Sequence, residues 1–338
     1  MPALEDMLRS MVIAPKSGEE LFEQAVRRSK RAEAKGARGL SAIKRLEEAR
    51  VTIAANFIVS KLEGIALKTP FLKELHPFYR ELISTMINVD EYRACLARIH
   101  GAAKITRKIA REAKILIRKA EDAKAAARGR RMFFGRTLSL LSELTPCLSR
   151  IREFQLEMLK LPSIDPNLRT IIIAGVPNVG KSSLLRAVSR AKPEVKPYPF
   201  TTKTIIVGHI SIKDEKIQVI DTPGLLDRPL EEKNKIELRA ILAMKHLKGV
   251  IIYLFDPSET CGYTLDYQFK VYSSLVRWFP DVSIFVAANK VDITPREKAR
   301  ELLALLGPEL GRKVYFISAL KRIAVDVLLE DVLRTLCA

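Results

Sequence analysis

Gly175-Val176-Pro177-Asn178-Val179-Gly180-Lys181-Ser182 lies between an apolar run, Thr170-Ile171-Ile172-Ile173-Ala174, and a helical pattern, Ser183 to Val188. A glycine loop that leaves a strand and opens a helix commits this half of the chain to an α/β sheet with parallel strands. The glycines let backbone N–H groups turn inward round an anion, and the helix N-terminus adds its partial positive charge. In the G-x-x-x-x-G-K-[ST] pattern, Gly175 to Gly180 and Ser183 line a phosphate cradle. Lys181 reaches the β/γ-phosphates and the Ser182 hydroxyl is a ligand for Mg2+. A lone match would be read as an ordinary glycine-rich turn.

This one has companions in order. Val219-Ile220-Asp221-Thr222-Pro223-Gly224 ends the apolar run Ile217 to Ile220 in a carboxylate. Asp221 can hold Mg2+ through water, and the Gly224 amide can sense a γ-phosphate. Between the two motifs stands Tyr198-Pro199-Phe200-Thr201-Thr202, a first-switch candidate in which Thr202 completes the metal shell. Asn289-Lys290-Val291-Asp292 follows the apolar strand Val282 to Ala288. The Asp292 carboxylate matches the N1–H and exocyclic amine of guanine, whereas adenine offers neither donor on that edge. Sites built on such bonds reject the wrong base by roughly 10⁴–10⁵. Ser318-Ala319-Leu320, after the strand Lys313 to Ile317, offers an amide to guanine O6. Together these motifs predict a GTP/GDP domain that uses Mg2+.

Leu225 follows Gly224 where many switch GTPases carry the Gln that orients the attacking water. Leucine cannot do so, and intrinsic hydrolysis is expected to be slow, on the order of 10⁻⁴–10⁻² per second. Catalysis then falls to Lys181, Thr202, Gly224 and Asn178. The Asn178 side-chain carbonyl could ligand K+ beside the phosphates, or it could simply brace the loop. Switch segments are expected around 195–204 and 222–236.

The second large clue is charge. The 338 residues carry a net +19, and residues 1–168 hold 32 basic against 20 acidic side chains. The excess is densest from Arg93 to Arg136, with 14 bases against three acids. That density points to a polyanion partner. Cys95, Cys147, Cys261 and Cys337 form no C-x-x-C pair, and the four histidines are scattered, so no zinc site is expected. The start lacks a signal-peptide pattern and no apolar stretch approaches a membrane span. The chain is therefore expected to be cytoplasmic, with no membrane partner.

Residues 1–165 read as an all-α helical bundle and residues 166–338 as a Ras-like P-loop GTPase domain with a mostly parallel sheet. Ser17-Gly18-Glu19-Glu20 is a capping-box pattern, and a second helix runs from Ser41 to about Leu62. Pro77 is expected to interrupt a third. Asp90 is expected to cap a helix reaching about Ala127, and a last helix carries Leu138 to Ile151 with a kink at Pro146. On the long helix Lys104, Lys108, Arg111, Lys114 and Arg118 recur at spacings of three and four, and Arg107 widens that face. Ile105, Ile109 and Leu116 mark another side. A solvated charged face is the bland interpretation, but helix-internal acids are too few to neutralise these bases. Contact with RNA or DNA is therefore expected, by backbone and shape, with ribosomal RNA the better fit than a specific sequence.

The motif wording resembles the Obg-related GTPases and, more closely, the nucleolar GTP-binding protein (Nog) family, as an archaeal-type short member. Outside the generic motifs the likeness rests on His76-Pro77-Phe78-Tyr79, Ile164-Asp165-Pro166-Asn167, Arg228-Pro229-Leu230-Glu231 and Ser258-Glu259-Thr260-Cys261-Gly262. It implies a factor in large-ribosomal-subunit assembly, with the helical domain on precursor rRNA and the GTPase domain as a timer. It also implies the hydrophobic residue at Leu225. Eukaryotic members carry a long tail, whereas these residues stop at Ala338. The chain is expected to be monomeric off the particle. The alternative is a GTPase of tRNA modification or transport, whose bundle makes protein contacts.

Overall fold

The computed structural model describes residues 4–33, 38–161, 164–189, 194–198, 204–212, 215–311 and 313–337. The chain forms two compact units, Met1–Leu75 with Met86–Leu159, and His76–Thr85 with Lys160–Ala338.

In the first unit a short helix α1 (Leu4–Ser10) precedes α2 (Gly18–Ser29), α3 (Gly39–Lys68), α5 (Val89–Lys119) and α6 (Ala123–Met158), and α2, α3, α5 and α6 pack on one another. Their ion pairs give the directions. Arg107–Glu63 and Arg118–Glu48 run α5 antiparallel to α3, while Arg136–Glu112 and Arg150–Glu91 run α6 antiparallel to α5. Ile58, Leu62, Ile99, Phe133, Leu148 and Ile151 are fully buried between them. Gln155, fully buried, has its amide satisfied, as burial demands. The Gln155 amide accepts from Ala14 N (2.8 Å) and donates to Val12 O and Thr69 Oγ1.

Several helix ends differ from the sequence reading. Ser17 does cap α2, accepting from Glu20 N. The long helix is capped by Asn88 rather than Asp90, and it stops at Lys119. Asp122 then caps a separate helix by accepting from Ala125 N, without a glycine or proline to announce the break. Pro146 lies inside α6, which runs on to Met158. Pro77 opens α4 (Pro77–Met86) instead of interrupting a helix. The first helical position needs no N–H, and the proline ring presets φ there.

That helix belongs to the second unit. The Tyr79 hydroxyl donates to Ile164 O and accepts from Ile164 N. The rest of the unit is a seven-stranded sheet in the order β2-β3-β4-β1-β5-β6-β7. Its strands are β1 (Thr170–Ala174), β2 (Glu194–Pro197), β3 (Thr204–Ile212), β4 (Glu215–Asp221), β5 (Gly249–Phe255), β6 (Ile284–Ala288) and β7 (Val314–Phe316). β3 pairs antiparallel with β2 and β4, and every other pairing is parallel. Helices α7 (Lys181–Val188), α8 (Lys235–Leu242), α9 (Leu265–Trp278), α10 (Arg296–Gly311) and α11 (Val325–Cys337) complete the unit. This is the α/β P-loop GTPase fold preceded by helices. β1 lies between β4 and β5, so the crevice at its carboxyl end is where a doubly wound sheet binds ligands. No helix among the described residues is long and apolar enough to cross a membrane.

Candidate nucleotide site and cationic face

The loop from β1 to α7 is shaped by its glycines. Gly180 has φ +102°, and a Cβ there would sit 2.2 Å from Asn289 Nδ2. Gly175 has φ +140°, and a Cβ would meet Leu254 O at 2.6 Å. Neither position admits a side chain. Asn178, exposed on the loop, also has positive φ, as asparagine tolerates. Lys181 folds back over the loop and donates to Gly175 O and Val176 O, both at 2.8 Å. Burial pulls its ammonium below the usual lysine range, opposed by Asp221 and Asp227.

Ser182 Oγ donates to Asp221 Oδ2 at 2.5 Å, and among the described residues Asp221 Oδ1 is buried with no partner. Burial pushes the Asp221 carboxyl up, opposed by the Ser182 hydroxyl and Lys181. Thr222 Oγ1 donates to Ile173 O (2.9 Å), tying the Asp221 motif to β1. Gly224 follows at φ +78°. Leu225 is 0% exposed, so the residue in the glutamine position faces the core. Thr202 lies outside the described residues. Tyr198, four residues earlier, is buried and donates to Ala240 O at 2.7 Å.

Asn289 joins the phosphate loop to the last motif. Its Nδ2 donates to Val179 O (2.7 Å) and its Oδ1 accepts from Ala319 N (2.9 Å). The Ser318 hydroxyl, and then Lys321 at 3.3 Å, hold the Asp292 carboxyl below the usual carboxylate range. An ionised acceptor pair is thus maintained at the Asp292 carboxylate. Leu320 is strongly exposed beside it. Lys290 donates to Asp256 Oδ2 (2.7 Å) and Thr260 Oγ1 (2.9 Å). Burial works against the Asp256 charge, yet Lys290, the Ser258 hydroxyl and the Cys261 N–H hold that carboxyl below its usual range. The Ser258–Gly262 segment therefore wraps a buried carboxylate that grips Lys290. The sequence pattern marks the segment but not Asp256 itself.

On the helical unit Lys104, Lys108 and Arg111 are exposed and Lys114 is half-buried. Among the described residues none of the four makes an ion pair, and they form a bare cationic row along α5. Arg107 and Arg118 differ. Arg107 pairs with Glu63 at 2.7 Å and Arg118 with Glu48 at 3.0 Å, so α3 supplies the acids that α5 lacks. Ile105 and Leu116, assigned by spacing to an apolar side, are 48% and 50% exposed, while Ile109 is buried. Cys95, Cys147 and Cys261 are free and buried.

Two family models match the chain in tandem, "NOG1 N-terminal helical domain" over residues 8–165 and "50S ribosome-binding GTPase" over residues 170–290. An uncharacterized protein of Methanocaldococcus jannaschii is 37% identical over 75% of this chain and 71% of its own length. Nucleolar GTP-binding protein 1 of Saccharomyces cerevisiae is 37% identical over 76% of this chain and 40% of its own. The chain thus spans about two fifths of the length of that curated relative. A Plasmodium falciparum crystal structure, described as a nucleolar GTP-binding protein 1, is 37% identical. It aligns with 52% of this chain and 90% of its own at a TM-score of 0.45.

Proposed function

The chain belongs to the nucleolar GTP-binding protein 1 family, and we propose that it hydrolyses GTP slowly as an assembly factor for the large ribosomal subunit, its helical unit resting on precursor rRNA. The observation that carries the nucleotide half is the pairing of Ser182 Oγ with Asp221, whose second carboxylate oxygen is buried and unpartnered among the described residues. Two hard oxygens, one of them in want of a partner, suit Mg2+. Ser182 and Asp221 would hold the ion, with Thr202 completing the set, and Mg2+ when bound supplies charge neutralisation on the phosphate oxygens.

The chain's own groups do the rest. Lys181 is held by two loop carbonyls at the head of the cradle formed by Gly175, Val176, Pro177, Asn178, Val179, Gly180 and Ser183. Gly224 presents its amide to the γ-phosphate. Asp292, with Asn289, Lys290, Ser318, Ala319 and Leu320, reads guanine. Leu225 is turned inward, which supports slow turnover because no side chain there orients water. The exposed Asn178 is assigned to K+, which would place a positive charge at the phosphates.

The ribosomal half is supported by the tandem of a helical-domain match and a ribosome-binding GTPase match on one chain. It is supported also by the unpaired row Lys104, Lys108, Arg111 and Lys114, with Arg107 and Arg118 at its margin. Phosphate release from GTP and ATP, in K+ and in Na+, with and without precursor large subunits, tests the whole reading. The expected result is guanine-specific, K+-stimulated turnover that precursor particles alter. Equal rates with ATP would sink the nucleotide assignment, and indifference to particles would sink the ribosomal one.

A further inference from the structure

Two lysines are buried among the described residues, and only one of them belongs to the phosphate-loop motif. The other, Lys233, has a side chain 2% exposed and donates to Gly224 O at 2.9 Å. Its nearest carboxylate, Asp227 Oδ1, stands at 3.7 Å, beyond a good hydrogen bond. Asp227 also acts electrostatically on Lys181, so one carboxylate serves two buried ammonium groups.

The chain round Lys233 is strapped down. Leu230 N donates to Ser274 Oγ (2.9 Å), and that hydroxyl donates to Glu231 Oε2 (2.6 Å). Arg277 and Trp278 Nε1 both reach Glu231 Oε1 at 3.2 Å, and Lys270 pairs with Glu232 at 3.2 Å. On the other side Asn234 caps α8, accepting from Ile236 N and Glu237 N. Lys233 therefore stands on fixed backbone and reaches back nine residues to a glycine at φ +78°. Such a glycine can turn its peptide over at little cost. An ammonium on its carbonyl removes that freedom.

We propose that Lys233 is the positioning residue of the γ-phosphate sensor: it anchors the carbonyl of Gly224, the residue whose N–H does the sensing, and its incompletely neutralised charge makes this site prefer a nucleoside triphosphate to a diphosphate. The inference rests on the guanine-nucleotide reading above. A triphosphate brings more negative charge than a diphosphate to the Gly224 N–H, on the same residue as the carbonyl that Lys233 holds, and in a partly desolvated site that difference is felt strongly. Burial itself draws the ammonium below its usual range. That cost is consistent with a charge kept for a task rather than for stability.

The test is a titration of a non-hydrolysable GTP analogue and of GDP, with Mg2+, against four proteins: wild type, Lys233→Met, Lys233→Arg and Asp227→Asn. Lys233→Met is expected to lower the analogue-to-GDP affinity ratio about fivefold to tenfold with GDP affinity nearly unchanged. Lys233→Arg keeps charge and donor and should restore most of the ratio. Asp227→Asn removes the neutralising carboxylate and should move the ratio the other way. A purely structural lysine would lower both affinities together. Wild type that binds both nucleotides, with a ratio that Lys233→Met and Asp227→Asn leave unmoved, overturns the proposal. Wild type that binds neither overturns the nucleotide reading instead. If Lys233→Met does not fold, the direction of the Asp227→Asn shift decides.

Discussion

The cations of the two units live under opposite conditions. In the nucleotide unit Lys181 and Lys233 are buried and each is tied to backbone carbonyls at 2.8–2.9 Å. In the helical unit Lys104, Lys108 and Arg111 stand in water with no ion-pair partner among the described residues. A buried ammonium must be held at one place, because desolvation makes every misplacement costly. An exposed row needs only density, because attraction to a polyanion is long-ranged and sums over contacts. One unit thus holds its cations in a single geometry, while the other leaves a row of them exposed and unpaired among the described residues. Changes in the first should act specifically and steeply. Changes in the second should act in proportion to charge and be erased by salt.

The steepest break is at the base. Asp292→Asn replaces an acceptor pair by an amide that suits xanthine, which carries a carbonyl where guanine carries an amine. The GTP-to-XTP affinity ratio is expected to fall by roughly 10⁴, measured by competition titration. Asp221→Asn is expected next, with Mg2+-dependent GTP affinity down about 10–100-fold. The same change should stabilise the nucleotide-free protein. Burial raises the folded-state pKa of Asp221 above its unfolded value. Its contribution is therefore present below the unfolded pKa and lost as pH rises through the folded pKa, so that above it the carboxylate charge is a net cost to the fold. Removing that charge should raise Tm by about 2–4 °C at pH 7 in a nucleotide-free melt, and by less at pH 4.

The cationic row should behave differently. Replacing Lys104, Lys108 and Arg111 by Ala should flatten the log–log salt dependence of rRNA binding by about one per residue, with no change in GTP affinity. The smallest effect belongs to the paired arginines. Arg107→Ala and Arg118→Ala should leave rRNA affinity within about fivefold, because Glu63 and Glu48 already occupy those guanidinium groups. Losses as large as those of the unpaired row would erase the distinction.

The same contrast explains what could be read in the residues. The G-x-x-x-x-G-K-S loop, Asp221 and the Asn289–Asp292 motif were legible because each demands a fixed residue type at a fixed spacing after a strand. Lys233 and Asp256 were not. Each acts through a partner distant in sequence, Gly224 for one and Lys290 for the other, and a lone charged residue in a loop carries no sign of being buried. Nothing in Lys119-Ala120-Glu121-Asp122 breaks the helical pattern from Val89, and the Asp122 cap shows only in its bond to Ala125 N. Spacing placed Ile105 and Leu116 on an apolar side. Packing decided otherwise, since α3 and α6 cover only the stripe that holds Ala102, Ile109 and Ala113. The acids that neutralise Arg107 and Arg118 also come from another helix, beyond any i,i+4 reading of α5. α4 joins the second unit through Tyr79 and Ile164, a contact across 85 positions that no local pattern encodes.

We propose a division of labour in which the pinned site governs the nucleotide and the bare row grips RNA. Its most direct test is co-sedimentation of the chain with precursor large ribosomal subunits at physiological salt. The arms are a non-hydrolysable GTP analogue, GDP, and the analogue with Lys104, Lys108 and Arg111 changed to Glu. Pelleting is expected with the analogue, markedly less with GDP, and none for the charge-reversed protein, whose affinity for GTP is unchanged. Equal pelleting in all three arms, or none in any, would contradict it.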